Sequence, residues 1–205
     1  MAVVGDDLTA EVMARALGAG GVGTLRFIHR SGLLDAALAS ALRGSNPDLR
    51  LETRPWPQAG TGWLAALDGC AMVVRSGFDD DAMLRAAIRL GVPVVVVRAD
   101  DAGVDLVSFR RHGPCPHVSL DVAEGAAAAT GSGPTAVIAA HAAAAEALLL
   151  LAGTRLDEAR ARHLRLPLSG EGDGADAAPR TTDIPWTPEC FACGGSASEM
   201  SFGGH

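Results

Sequence analysis

The first 32 residues restrict the fold more than any other part of this 205-residue chain. Residues 2–4 are apolar on both faces and are followed by Gly5, which is the pattern of a short buried strand. Apolar residues then recur at helical spacing over residues 11–18, glycines follow, and residues 24–29 have the composition of a second strand. The stretch predicts a βαβ unit, the first half of a nucleotide-binding parallel sheet.

The turn after the first strand decides whether such a unit can bind phosphate. A nucleotide-binding turn has the pattern G-x-G-x-x-G, because phosphate must approach bare backbone at the helix N-terminus. Residues 5–10 here are Gly-Asp-Asp-Leu-Thr-Ala, so only Gly5 is kept. Asp6 and Asp7 stand where phosphate would lie, although carboxylates at this position also cap helices. The sequence predicts the fold of a nucleotide-binding unit with a damaged phosphate loop.

The rest of the chain continues the alternation of strands and helices. Trp56 and Trp63 fall in a Gly/Pro-rich connection, where packing onto the sheet is favoured over a binding role. The order of elements predicts an α/β fold, with a Rossmann-like, parallel-rich sheet and helices on both faces. We predict helices over residues 31–42 and 135–152 and another ending at Leu90, and strands over residues 49–54, 70–74, 93–97, 104–109 and 164–168, the last confined to a sheet edge by Pro167.

Composition excludes several function classes. The net charge of −7 argues against a nucleic-acid or anionic-membrane surface. All 17 basic residues are arginine, so no lysine is available for phosphate binding or Schiff-base chemistry. The apolar run at residues 135–152 is alanine-rich and contains His141 and Glu146, which favours a buried helix over a membrane span. With no visible signal peptide and four cysteines that fit a reducing compartment, we expect a cytoplasmic protein.

Three of the cysteines suggest a structural zinc site. Cys190 and Cys193 form a C-x-x-C pair, which supplies half of a tetrahedral site. The other half would come from Cys115 with His112, or with His117 at tighter spacing. The alternative is free thiols with incidental histidines. A zinc here would fix the C-terminal segment to the sheet, so we divide the chain into a Rossmann-like domain (1–160), a strand, acidic loop and zinc knuckle (161–195), and a disordered tail (196–205).

These parts, in this order, resemble the ThiF/MoeB family, the bacterial relatives of ubiquitin-activating enzymes. The resemblance implies a parallel-rich α/β fold, a homodimer, a zinc held by two C-x-x-C pairs, and adenylation of the C-terminal carboxylate of a small protein or peptide with ATP and magnesium. The landmarks are the opening βαβ unit, the Asn46-Pro47 turn, the strand and acidic residues at 72–85, the strand at 93–97, Gly113-Pro114-Cys115, the helix ending at Gly153, and Pro185-Trp186 before the Cys190 and Cys193 pair.

Most of the family's catalytic residues have no counterpart here. The glycine-rich loop falls on residues 5–10, and the acidic residue that holds ribose falls near His29 or Arg30. The segment with the phosphate-binding lysine has no room between His29 and Asn46. The resemblance leaves only Asp80 and Arg85, as a vestigial magnesium–ATP site, and it makes bound ATP and magnesium doubtful.

We therefore expect a ThiF-like pseudoenzyme that binds a peptide, a small carrier protein or a catalytic partner in the maturation of a peptide natural product. The alternative is a working ATP-dependent adenylyltransferase that uses Arg75, Arg85 or a partner subunit's arginine for phosphate. A dinucleotide-dependent oxidoreductase is disfavoured by the missing glycines and by the lack of an acidic residue after the second strand.

Overall fold

The computed structural model describes residues 1–32, 34–77, 81–109, 133–153, 161–168 and 178–184. Strands and helices alternate along most of this part of the chain. In chain order the elements are β1 (Ala2–Val4), α1 (Leu8–Ala19), β2 (Thr24–His29), α2 (Ala36–Ser45), β3 (Arg50–Pro55), α3 (Gly60–Leu67), β4 (Val73–Ser76), α4 (Asp81–Leu90), β5 (Val94–Ala99), β6 (Gly103–Phe109), α5 (Gly133–Leu151), β7 (Ala161–Pro167) and β8 (Arg180–Ile184).

The strands form one sheet in the order β3-β2-β1-β4-β5-β6-β7-β8. From β3 to β5 all neighbours are parallel, and from β5 to β8 all are antiparallel. The parallel half has the strand order 3-2-1-4-5 of mononucleotide-binding folds, in which the chain reverses direction across the sheet between β1 and β4. The predicted Rossmann-like, parallel-rich α/β fold is confirmed.

Two apolar cores lie on opposite faces of the sheet. On one face, α1, α2 and α5 bury residues such as Met13, Leu42 and Ala143 against the strands. On the other face, α3 and α4 bury Trp63 and Met83. Successive strand residues point to opposite faces, so the short apolar strands supply both cores at once.

Helix α3 lies where the sequence predicts a Gly/Pro-rich connection. Gly60 and Gly62 have low helix propensity, but Trp63 and Leu67 are buried at 1% and 0% exposure in the second core. Burial of these side chains outweighs local propensity. Helix α2 also begins later than predicted, because Asp35 caps it by accepting hydrogen bonds from the backbone N–H groups of the first turn.

The prediction that the last strand lies at a sheet edge was wrong. Strand β7 pairs with β6 on one side and with β8, which was not predicted, on the other. Proline has no N–H to donate to a neighbouring strand. Pro167 is tolerated because the pairing of β7 with β8 covers only residues 161–165, so no hydrogen bond to β8 is lost at position 167. On β6, Gly103 lies opposite Pro167, and a Cβ at Gly103 would lie only 2.5 Å from the carbonyl oxygen of Leu166.

Helix α5 is, within the described ranges, the one helix long and apolar enough to cross a membrane, with a mean hydropathy of 1.6. Its alanines at 139, 143 and 147 are fully buried against α1 and the sheet. The two helices approach closely here, since a Cβ on Gly20 of the α1 cap would lie 2.7 Å from the end of the Leu148 side chain, which would have to shift. One side of the helix therefore packs into the core, as predicted, whereas Ile138, Leu149 and Leu151 on the rest of the helix are exposed.

Candidate functional site

The carboxyl ends of β1, β2, β3 and β4 meet at one edge of the sheet, because these four strands are parallel. Gly5 follows β1, Arg30 follows β2, Trp56 follows β3 and Gly77 follows β4. In open α/β sheets ligands bind outside these ends, beside the point where the strand order reverses. This edge is the candidate functional site.

Gly5 is required by internal packing at the end of β1. Its φ is +154°, and a Cβ at this position would collide with the Ser76 hydroxyl and would lie 2.8 Å from the Ala10 methyl group. Its N–H donates to the Ile28 carbonyl oxygen at 3.2 Å. Gly5 is the only glycine of the predicted phosphate loop, and the side chain of Ser76 on β4 already packs against it.

The two carboxylates lie at the start of α1, as predicted, and each has a defined partner. Asp7 is the N-cap of α1, and its Oδ1 accepts a hydrogen bond from the Ala10 N–H at 2.8 Å. Asp6 turns toward the end of β2, where Oδ1 accepts from the Arg30 N–H at 2.7 Å and Oδ2 lies 3.1 Å from Arg30 Nε.

The charges at this turn are unfavourable for a nucleotide triphosphate. Asp7 uses an N–H that phosphate would need, and Glu11 adds a third carboxylate in the first turn of the helix. Each pair of like charges about 4–6 Å apart costs roughly 1–4 kcal/mol, depending on exposure. The helix N-terminus contributes only about half a positive charge in return.

A neutral imidazole stands where the resemblance places the ribose-binding acid. His29 ends β2 and is 6% exposed, with its Nδ1 2.8 Å from the Ser31 hydroxyl and its ring 5.3 Å from that of Phe27. Burial lowers the pKa of His29 below 6.5, and the nearby negative charge of Asp6 opposes this shift. The ring is therefore uncharged near neutral pH.

Trp56, which follows β3, contacts side chains at the ends of β2 and β4 on the other face of the sheet. The guanidinium carbons of Arg30 and Arg75 lie 5.6 and 5.5 Å from its ring centroid, and Trp63 meets it edge to face at 5.3 Å. The predicted packing role of both tryptophans agrees with these contacts. Arg75 is 1% exposed, so it is poorly placed to reach phosphate in solution.

Several predicted site residues lie outside the described part of the chain: Asp80, His112, Cys115, His117, Cys190 and Cys193. Arg85 is described and is exposed on α4. Among the residues whose placement is described, no group of three or more His, Cys, Asp or Glu side chains could hold a metal. Cys70 is a buried free thiol in the turn before β4 and not in a strand, and burial raises its pKa.

Sequence reasoning missed a buried ionic cluster in the antiparallel half of the sheet. Asp105 on β6 is 2% exposed and contacts two side chains of β7, His163 Nε2 at 2.8 Å and Arg165 Nη1. Asp105, the one charged residue in the predominantly apolar β6, was the available signal. Its partners lie 58 and 60 residues away, so only the pairing of β6 with β7 identifies them.

Comparison with known proteins gives structural matches only. No protein-family model matches the sequence, and no curated protein sequence does. The solved structure of PaaA matches with a TM-score of 0.69 and 15% identity, over 89% of this chain and 63% of PaaA. Escherichia coli MccB matches with a TM-score of 0.69 both in its complex with MccA (13% identity) and with ATP (11%), over 94% of this chain and 66% of MccB.

The chain thus spans less than two thirds of the length of these proteins. The likeness to PaaA and MccB is one of fold, and the Rossmann-like α/β fold that the resemblance implied is confirmed at that level. Identities of 11–15% carry the fold and not the activity.

Proposed function

We propose that this protein is a ThiF-like pseudoenzyme that binds a peptide or small carrier protein, or a catalytic partner enzyme, and does not itself adenylate its partner. The observation that carries the proposal is the β1–α1 turn, where Asp7 caps the helix and Asp6 binds the end of β2. Maturation of a peptide natural product is the setting we favour, since the neighbour MccB is a microcin C7 biosynthetic enzyme that was solved in complex with MccA.

The argument against adenylation rests on three separate elements. The N-terminus of α1 carries acidic residues, the end of β2 carries a neutral imidazole, and the chain has no lysine. Catalysis of phosphoryl and adenylyl transfer depends on positioning and on positive charge around the phosphates. We therefore assign partner binding, and not adenylyl transfer, to this protein.

The rest of the proposed assembly follows the resemblance. We propose a homodimer, because Ile138 and Leu149 lie on an exposed apolar side of α5 opposite the buried alanines. We propose a structural zinc held by Cys115, Cys190, Cys193 and either His112 or His117, because three thiolates and an imidazole are a donor set that zinc prefers. A cytoplasmic location fits thiols kept reduced for metal binding.

A second candidate is an ATP-dependent adenylyltransferase. This candidate is supported by one neighbour of the same fold, MccB, whose structure was solved with ATP. Arg85 is the better phosphate ligand in this chain, since it is exposed whereas Arg75 is buried beside Trp56. Asp80 would hold the magnesium ion in this alternative.

Two measurements on the full chain separate the candidates. Affinity capture followed by mass spectrometry identifies the partner, and pyrophosphate exchange with that partner present tests adenylation. We expect specific capture without exchange. If exchange occurs, Arg85→Ala should abolish it. The control Arg89→Ala, on the same exposed side of α4, should leave exchange unchanged. That pair of results would establish the second candidate.

A further inference from the structure

A cleft of about 400 Å³ lies between α1 and α2 at the end of β2. This volume is within the range of small-molecule sites. Its apolar part is formed by Phe27, Leu34 and Leu38, of which Phe27 and Leu38 are 4% and 3% exposed. An aliphatic or aromatic group of a ligand could therefore leave water and pack against these side chains without a free-energy penalty.

The polar part of the cleft is dominated by carboxylates. Asp6 and Arg30 pair with each other, so their charges offset. Glu11 and Asp35 remain, and one oxygen of Asp35 caps α2. Glu11 is partly buried and makes no side-chain hydrogen bond or ion pair to any described residue. Two carboxylates thus face the cleft without a counter-ion among the described side chains that line it.

The N-termini of α1 and α2 adjoin the same cleft and work against these carboxylates. Each contributes about half a positive charge, which offsets only about one of the two negative charges. His29 adds no positive charge near neutral pH, because its burial lowers its pKa. Among the described groups that line the cleft, negative charge therefore exceeds positive charge.

We infer that the α1–α2 cleft binds a cationic group carried on an apolar body, with Glu11 as its counter-ion. His29 lines the same cleft, and its Nε2 has no hydrogen-bond partner within the described residues. Nε2 is buried, so a ligand N–H reaches it only after a small shift of the imidazole ring, and would then use the tautomer in which Nδ1 donates to Ser31. This charge preference is opposite to that of a phosphate site.

The inference rests on the proposed function only for the natural ligand, which would be a basic side chain or an amine of the bound peptide. The chemistry of the cleft can be tested without any peptide. Benzamidine, benzamide and benzoate share one ring and nearly one shape, and they differ in charge. They therefore measure the electrostatic preference of the cleft directly.

Binding of the three probes to the full chain is measured by calorimetry and by the ring-proton NMR signals of His29, assigned with a His29→Gln variant. We expect saturable binding of benzamidine with a shift of the His29 signals, weaker binding of benzamide, and none of benzoate. Glu11→Gln should weaken benzamidine binding about fivefold, the size expected for one partly exposed ion pair.

Asp48→Asn is the matched control. It removes the same charge from an exposed position beyond the other end of α2, about 15 Å away by the rise of that helix. Equal binding of benzoate and benzamidine, or equal effects of Glu11→Gln and Asp48→Asn, would overturn the inference. The probe series remains decisive on the unaltered chain if Glu11→Gln fails to fold. A failed partner capture would count against the proposed function alone.

Discussion

Asp7 offers the sharpest test of how the β1–α1 turn works, because its cap and its charge can be removed separately. Asp7→Asn keeps an oxygen that can accept from the Ala10 N–H and removes the charge, whereas Asp7→Ala removes both. Asp35 caps α2 in the same way and provides a matched pair, Asp35→Asn and Asp35→Ala, at a second helix.

The expected magnitudes follow from the capping geometry. Loss of a side-chain N-cap costs about 1 kcal/mol, within a range of roughly 0.5–2 kcal/mol. For a chain of this size that lowers Tm by about 2–4 °C. Asn is nearly as good an N-cap as Asp, so Asp7→Asn should stay within about 0.5 kcal/mol of the unaltered chain.

Chemical denaturation and calorimetry measure both variants. The reasoning is refuted if Asp7→Ala has no effect, since the 2.8 Å hydrogen bond would then contribute nothing. It is also refuted if Asp7→Asn destabilises as much as Asp7→Ala, because the helix dipole and not the cap would then be the main interaction. In calorimetric titration with magnesium–ATP, Asp7→Asn should bind slightly better than the unaltered chain, because one like charge has been removed.

Three further predictions concern pH, metal and assembly. Because burial lowers the pKa of His29, the unfolded chain takes up a proton before the folded chain does as pH falls below about 6.5. The free energy of unfolding should therefore drop, by at most about 1.4 kcal/mol per pH unit. In urea denaturation, the free energy of unfolding of His29→Gln should depend less steeply on pH. Elemental analysis should find about one zinc per chain, lost in Cys190→Ser or Cys193→Ser; a metal-free preparation with unchanged melting would contradict this. Light scattering should give a dimer that Ile138→Glu dissociates, whereas a 20.9 kDa species for the unaltered chain at micromolar concentration would exclude it.

The elements predictable from sequence are those with strong local patterns. Residues 2–4 form a strand as predicted, because a short apolar run followed by glycine has few other ways to be buried, and residues 24–29, in which polar and apolar positions are mixed, form the second predicted strand. The alanine-rich α5 also matches its prediction to within two residues at each end. The fold implied by the order of these elements agrees with the observed sheet.

The features that escaped prediction depend on contacts distant in sequence. Helix α3 forms because Trp63 is buried beneath it, and β7 is an interior strand because β8 pairs with it. Asp6 was correctly placed at the start of α1, but its partner Arg30 lies 24 residues away. The cleft beside Glu11 required the relative placement of α1 and α2, which no sequence pattern specifies.

The carboxylates at the β1–α1 turn are not demanded by the fold. Glycine at an N-cap costs only a few tenths of a kcal/mol relative to Asp, and an exposed ion pair such as that of Asp6 with Arg30 contributes about 0–1 kcal/mol. Stability alone would therefore permit a glycine-rich loop at this position. Restoring it would still leave the imidazole of His29 at the end of β2 and no lysine in the chain. The acidic turn, the imidazole at the end of β2 and the lack of lysine each disfavour nucleotide binding or catalysis, and the double variant changes only the first. The double variant Asp6→Gly and Asp7→Gly should therefore gain some affinity for magnesium–ATP without gaining pyrophosphate exchange.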